Sequence, residues 1–223
     1  MQLKTELSRK QIDLLKVYQQ AVLTANDSFN LVGKDTAKDF WTTHIEDSLA
    51  LLDFVDLPQD SSLLDVGSGA GFPAVPIKIV RKDLQISVLD ATLKRCEFVK
   101  NTCENIGVEV EVVAARAEEL GHEANFRESY DFVTARAVAD LRVLAEICLP
   151  FVKVGGKFIA LKGPNLDSEL ECANEIIDKL GGEVLEVHEF SLADEFARKI
   201  LVIEKKKSTP ATFPRRWKRI LRG

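Results

Sequence analysis

A chain of 223 residues with 46% hydrophobic content is long enough to bury the core of one enzyme-sized domain, and its composition excludes a disordered or fibrous protein. No run of eighteen apolar residues occurs, which excludes a helical membrane span, and Met1-Gln2-Leu3-Lys4-Thr5-Glu6 has no signal-peptide core, so a cytoplasmic protein is expected. The net charge of −5 is unevenly spread: residues 205 to 223 hold eight cations and no acid, leaving −13 on the 204 residues before them.

Ser8-x-x-Gln11 reads as a capping box ahead of a helix reaching about Ala25. Thr36 to Phe54 reads as a second helix, with Phe40, Ile45, Leu49 and Leu52 near one side. Residues 1–60 are therefore expected to form a helical cap within the same domain, ending where Pro58 and a polar run separate it from the segment that follows. From Leu63 strands and helices alternate through residues 61–207: a strand to Val66, a helix from Pro73, a strand at 85–89, a helix at 93–105 and a strand at 108–114 after Gly107. Strands at 130–134 and 156–161 flank a helix at 140–148, and a helix at 166–180 precedes two strands, 183–190 and 198–204, placed to pair antiparallel. Alternation of this kind predicts an α/β fold with a mostly parallel sheet, right-handed crossovers and a closing hairpin. Residues 208–223 form a basic tail in which Pro210, Phe213, Pro214 and Trp217 interleave with Arg215, Arg216, Lys218, Arg219 and Arg222; a nucleic-acid contact and a solvated appendage are the two readings.

The most specific stretch is Leu64-Asp65-Val66-Gly67-Ser68-Gly69-Ala70-Gly71-Phe72-Pro73. An apolar strand carrying an acid opens into three alternating glycines, which allow positive φ and close approach of a ligand to the backbone. A dinucleotide fingerprint needs glycine where Phe72 stands. Asp-x-Gly-x-Gly-x-Gly is the pattern of S-adenosylmethionine-dependent methyltransferases. Asp90 ends the next strand nineteen residues after Gly71, where a carboxylate can accept two ribose hydroxyls or cap the following helix. Cys96, Cys103, Cys148 and Cys172 lack C-x-x-C spacing and are expected as buried reduced thiols, while His44, His122 and His188 are scattered, so no metal site is predicted.

Together with Asp90-x3-Lys94-Arg95-x2-Phe98, Ala115-Arg116-Ala117-Glu118-Glu119, Asp131-x-Val133-Thr134-Ala135-Arg136-Ala137-Val138-Ala139 and Leu161-Lys162-Gly163, this stretch closely resembles the RsmG family, also called GidB. The resemblance runs from about Phe29-Asn30-Leu31, through His44-x2-Asp47-Ser48-Leu49, to Pro210. It departs from the family at Ala74, where glycine is usual, and at the ending Arg216 to Arg222. That family methylates N7 of a guanine in 16S ribosomal RNA with S-adenosylmethionine, leaving S-adenosylhomocysteine. The resemblance implies a Rossmann-like class I methyltransferase with a seven-stranded sheet, acting on rRNA free or within the 30S subunit, and a monomer is expected.

For the cofactor, the resemblance implies Asp65, Gly67, Gly69 and Gly71 of the turn, apolar contact from Phe72, Asp90 at the ribose, and Ala117 and Glu118 at the adenine. Arg136 is implied beside cofactor and target base, with an ordinary salt bridge as its alternative. His44, Asp47, Lys94, Arg95, Lys162 and Arg198 are implied on the rim, joined on the RNA side by Arg215 and Arg216 of the tail; helix-end charges and structural pairs are the bland alternative. Guanine N7 has a lone pair and no proton, so positioning suffices and no general base is needed. Two rival functions stand beside this one: a methyltransferase for small molecules or proteins, and a non-enzymatic RNA-binding module.

Overall fold

The computed structural model describes residues 4–26, 28, 30–33, 38–192 and 196–222. The N-terminal capping box closes in both directions, Ser8 N donating to Gln11 Oε1 (2.9 Å) and Gln11 N to Ser8 Oγ (3.3 Å). It opens α1 (Arg9–Asn26), whose Leu15, Tyr18 and Val22 are spaced to share one face and are fully buried. Burying each is worth about 1.5–3 kcal/mol, which offsets the marginal stability of a lone helix.

The single helix expected over 36–54 is divided. Residues 34–37 lie outside the described residues; beyond them come a π-helical segment, Trp41–Glu46, then α2 (Asp47–Leu49) and α3 (Leu51–Phe54). The widened turn brings the Asp47 amide to Thr42 O. It leaves Thr43 O to accept from Arg136 Nη1 at 3.1 Å, a tertiary contact that sequence periodicity does not register.

Next in order come β1 (Ser62–Val66), α4 (Ala74–Val80), β2 (Gln85–Asp90), α5 (Leu93–Ile106), β3 (Glu111–Ala114), α6 (Ala117–Leu120), β4 (Tyr130–Arg136), α7 (Leu141–Cys148), β5 (Val152–Lys162), α8 (Leu166–Lys179), β6 (Gly182–Leu192), β7 (Phe196–Lys205) and α9 (Trp217–Ile220). The strands form one sheet in the order β3-β2-β1-β4-β5-β7-β6, with β7 antiparallel to both its neighbours and the other pairings parallel. β3 starts later than expected, at Glu111, whereas β4 and β5 run longer than expected; β5 begins at Val152 and passes Gly155, where φ is +88°, close to a register shift against β4.

Each face of the sheet carries its own apolar layer. One joins α1, the π-helical segment, α4 and α5; the other joins α7, α8 and the C-terminal segment, including buried Phe213 and Ile220. Residues 208–222 are therefore docked along the body. Among the cysteines, Cys96, Cys103 and Cys148 are buried thiols, but Cys172 is exposed, because it lies on the solvent side of α8. No helix among the described residues is long and apolar enough to cross a membrane.

Candidate functional site

Ligands of open α/β sheets collect at the carboxyl ends of the strands, where the order reverses beside the first strand. Here that place lies between β1 and β4, and the glycine turn leaves β1 there. Gly67, Gly69 and Gly71 all have positive φ (70°, 58° and 88°). Gly67 N and Ser68 N donate to Leu89 O (2.7 and 3.1 Å), pinning the turn to the end of β2. The glycines serve different needs. A Cβ on Gly71 would meet Tyr18 Oη at 2.6 Å and Val75 Cγ2 at 2.7 Å, and one on Gly67 would meet Val138 Cγ2 at 2.5 Å, so both are packed by the protein. A Cβ on Gly69 would meet nothing within 4 Å, so the turn is open to a ligand at that residue.

Asp65 lies under the turn, fully buried, with Oδ1 accepting from Thr134 Oγ1 (2.9 Å) and Oδ2 outside hydrogen-bond geometry with the described residues. Burial pushes its carboxyl up to about 8, against the opposing pull of the Thr134 bond and the Arg136 charge. Asp90 accepts from Gly69 N at Oδ2 (3.0 Å) and from Thr92 N at Oδ1 (2.8 Å). The expected helix cap is thereby corrected: the residue at the N-cap of α5 is Thr92, and the Asp90 carboxylate, too early to reach the first helical amides, ties the glycine turn to β2.

Arg136, at the end of β4, joins the cap to the sheet. Its guanidinium donates to Thr43 O, to Asp47 Oδ2 (2.8 Å) and to His44 Nδ1 (3.0 Å), and lies 5.1 Å from the Phe72 ring centroid. Asp47 also accepts from Arg198 Nε at 3.0 Å. A guanidinium only donates, so Nδ1 of His44 is the acceptor and Nε2 carries the proton. Burial, helped by Arg136 and Arg198, lowers His44 to about 3 and keeps the imidazole neutral. Just beyond, Ala137 is held at φ 55° and Lys162 Nζ donates to Ala139 O (3.0 Å) while pairing with Glu169 (2.5 Å).

A cavity of about 500 Å³ opens over these groups. Its walls include Gly67, Gly69, Phe72, His44, Arg95, Arg136, Lys162 and Arg198, and its charged lining is five cations (with Lys199) against two carboxylates, Asp47 and Glu169. That balance suits an anionic ligand beside the glycine turn. A larger groove, about 1040 Å³, opens at the opposite edge around the starts of β2 and β3, away from the glycine turn.

Several residues singled out from sequence stand elsewhere. Asp65, Gly71 and Asp90 are in the layer beneath the cavity. Ala117 and Glu118 lie on α6 beyond β3, outside the cavity walls, with buried Glu118 paired to Arg116 at 2.8 Å. Lys94 is exposed on α5, and Arg95 sits 3.6 Å from Asp90. Arg215 is spent on Glu146, a fully buried carboxylate of α7, while Arg216 is exposed. Sequence reasoning missed Tyr18, whose hydroxyl donates to Ala70 O and braces the turn from α1, and Thr134 as partner of Asp65. Thr134 could have been found as the one polar residue within the apolar centre of β4, between Phe132 and Ala135; Tyr18 carries no such signal.

A seven-stranded sheet in this order, with only β7 reversed and a glycine turn after β1, is the fold of class I S-adenosylmethionine-dependent methyltransferases. Solved structures with the same fold include M. jannaschii TYW2 in complex with AdoMet (TM-score 0.57, 12% identity, 73% of this chain and 76% of that one) and TrmN from Thermus thermophilus (TM-score 0.55, 19% identity, 71% and 48%).

Residues 11–200 match the family model described as GidB, rRNA small subunit methyltransferase G. The chain is 42% identical over 208 residues to the ribosomal RNA small subunit methyltransferase G of Alkaliphilus metalliredigens (strain QYMF), covering 92% of this chain and 87% of that protein. It is 41% identical over 212 residues to that of Oceanobacillus iheyensis, covering 94% and 89%. The chain belongs to this family of methyltransferases.

Proposed function

We propose that this protein transfers the methyl group of S-adenosylmethionine to N7 of a guanine in 16S ribosomal RNA, as a cytoplasmic monomer. The observation that carries the reading is the net-cationic cavity lying directly on the glycine turn at the carboxyl ends of β1 and β4. The open space at Gly69 and the Asp90 carboxylate beside it fit a nucleoside with a small amino-acid arm. Gly67 and Gly69 would hold it through backbone groups, Asp90 at the ribose with the lone pairs its two amide donors leave, and Ala117 and Glu118 at the adenine. The bound cofactor supplies an electrophilic methyl group on a sulfonium.

Nothing in the site has to remove a proton. His44 at about 3 is too weak a base at neutral pH, and a guanidinium only donates hydrogen bonds, so the side chains around the cavity act by position. Arg136, braced by Asp47 and Phe72, would face the target base; Arg95, Arg198, Lys94 and Arg216 would meet RNA phosphates. Lys162 would hold the 137–139 segment in place.

Radiolabelled methyl transfer from S-adenosylmethionine to 30S subunits, free 16S rRNA and a panel of small metabolites tests this. Label is expected in 16S rRNA, released on hydrolysis as 7-methylguanine, and the better of the two RNA substrates identifies the working form. Label only in metabolites, or none, refutes the reading.

A further inference from the structure

The C-terminal segment, read from sequence as a basic tail, grips α6 from both ends. At the far end Pro214 packs so closely on Gly121 that a Cβ there would meet Pro214 Cγ at 3.0 Å, and His122 Nε2 lies 2.8 Å from Pro214 O. Arg127 fastens the same stretch by donating to Thr209 O (2.7 Å), Phe213 O (2.8 Å) and Gly121 O (2.8 Å). At the near end the Trp217 ring lies 4.8 Å beneath the Arg116 guanidinium. Arg116 in turn places both Nε and Nη2 2.8 Å from Oε1 of Glu118, whose Oε2 has no hydrogen bond among the described residues.

We propose that Trp217 is a positioning residue of the cofactor site: stacked on Arg116, it holds the Arg116–Glu118 pair and so fixes the carboxylate that reads the adenine edge. This rests on the S-adenosylmethionine reading given above. The Arg116 side chain is 42% exposed, and an arginine that free to rotate would hold Glu118 poorly by itself. A ring 4.8 Å from its Cζ restricts it, since a guanidinium over indole is the most favourable of the cation–π pairs. Glu118, buried and an acceptor only, suits the 6-amino group of adenine and repels the 6-carbonyl of hypoxanthine. A segment read from sequence as a nucleic-acid contact or a solvated appendage would then also set the affinity and base selectivity of the cofactor site.

Calorimetry with S-adenosylhomocysteine and its inosine counterpart tests this on the full chain. The wild-type protein should bind the adenine compound and discriminate against the inosine one. Trp217→Ala should weaken the adenine compound by about two- to fivefold, the strength of an exposed cation–π contact, and leave the inosine compound unchanged or bound slightly tighter, because a loosened carboxylate repels its 6-carbonyl less. Trp217→Phe, which keeps a ring, should recover most of the loss. Arg116→Met, altered at an exposed side chain, should reproduce the selective loss and covers the case in which Trp217→Ala does not fold. Equal losses for both compounds, or no loss for either in a folded variant, would overturn the proposal. A wild-type protein that binds neither compound would overturn the cofactor reading itself, and one that binds both alike would remove Glu118 as the reader of the adenine edge.

Discussion

Arg215→Ala separates a docked C-terminal segment from a loose one. Arg215 gives Glu146 three hydrogen bonds, from its backbone N (2.8 Å), Nε (2.9 Å) and Nη2 (2.7 Å), and Glu146 is 0% exposed. An exposed arginine–carboxylate pair is worth about 0–1 kcal/mol, whereas removing one partner of a buried pair costs about 3–5 kcal/mol because the other charge is left uncompensated. Arg215 is 28% exposed and its backbone amide survives the substitution, so about 2–4 kcal/mol is expected, a large share of a typical ~5–15 kcal/mol total. For a chain of this size that lowers Tm by roughly 5–12 °C. Urea unfolding monitored by circular dichroism measures it. Pairing Arg215→Ala with Glu146→Leu should restore much of the loss, since the stranded charge is then gone. A single substitution costing under about 1 kcal/mol, or a double variant no better than the single, would refute the docked arrangement.

Two further outcomes follow from the carboxylates beneath the cavity. Asp65 ionises at about 8 in the folded chain and at about 4 when unfolded, so between those values the folded state alone keeps the proton and stability falls as pH rises. Asp65→Asn, nearly isosteric and still able to accept from Thr134, should abolish a fall of up to ~5 kcal/mol between pH 4 and 8; parallel urea midpoints for both proteins across that range would contradict the burial argument. Asp90→Ala should weaken S-adenosylmethionine by about 1.5–3 kcal/mol, the worth of hydrogen bonds to a charged group, and unchanged affinity in calorimetry would remove Asp90 from the site.

What was legible in the sequence was local. The capping box at Ser8 and Gln11, the Gly107 stop of α5 and the apolar runs of β1, β2 and β4 each depend on neighbours within a few residues, and the α/β alternation followed from them. The glycine turn and Asp90 could be read for the same reason, as spacing fixed by one strand-turn-helix unit. What escaped depends on residues distant in sequence. The π-helical turn at Trp41–Glu46 presents Thr43 O to an arginine 93 residues on, and the C-terminal cations look alike whether solvated or, like Arg215, paired to a carboxylate 69 residues back. Phe213, noted only as interleaved with those cations, and Ile220, overlooked among them, were the sign that the segment packs against something.

The helical cap is a structural part of the site. Tyr18 on α1 bonds the Ala70 carbonyl, and the same hydroxyl crowds Gly71, so that glycine answers to the cap as much as to any ligand. Phe40, His44, Phe72 and Tyr18 make an aromatic cluster with ring centroids 4.8–5.8 Å apart, on which the Arg136 guanidinium rests. Asp47 then draws Arg136 from β4 and Arg198 from β7 to one carboxylate. Without the cap, Arg136 would lose all three of its hydrogen-bond acceptors at once, and Ala70 the brace on its carbonyl. The sheet supplies the turn and the strand ends, but the orientation of the charge that faces the cavity is set by the cap, so catalysis that rests on position requires both.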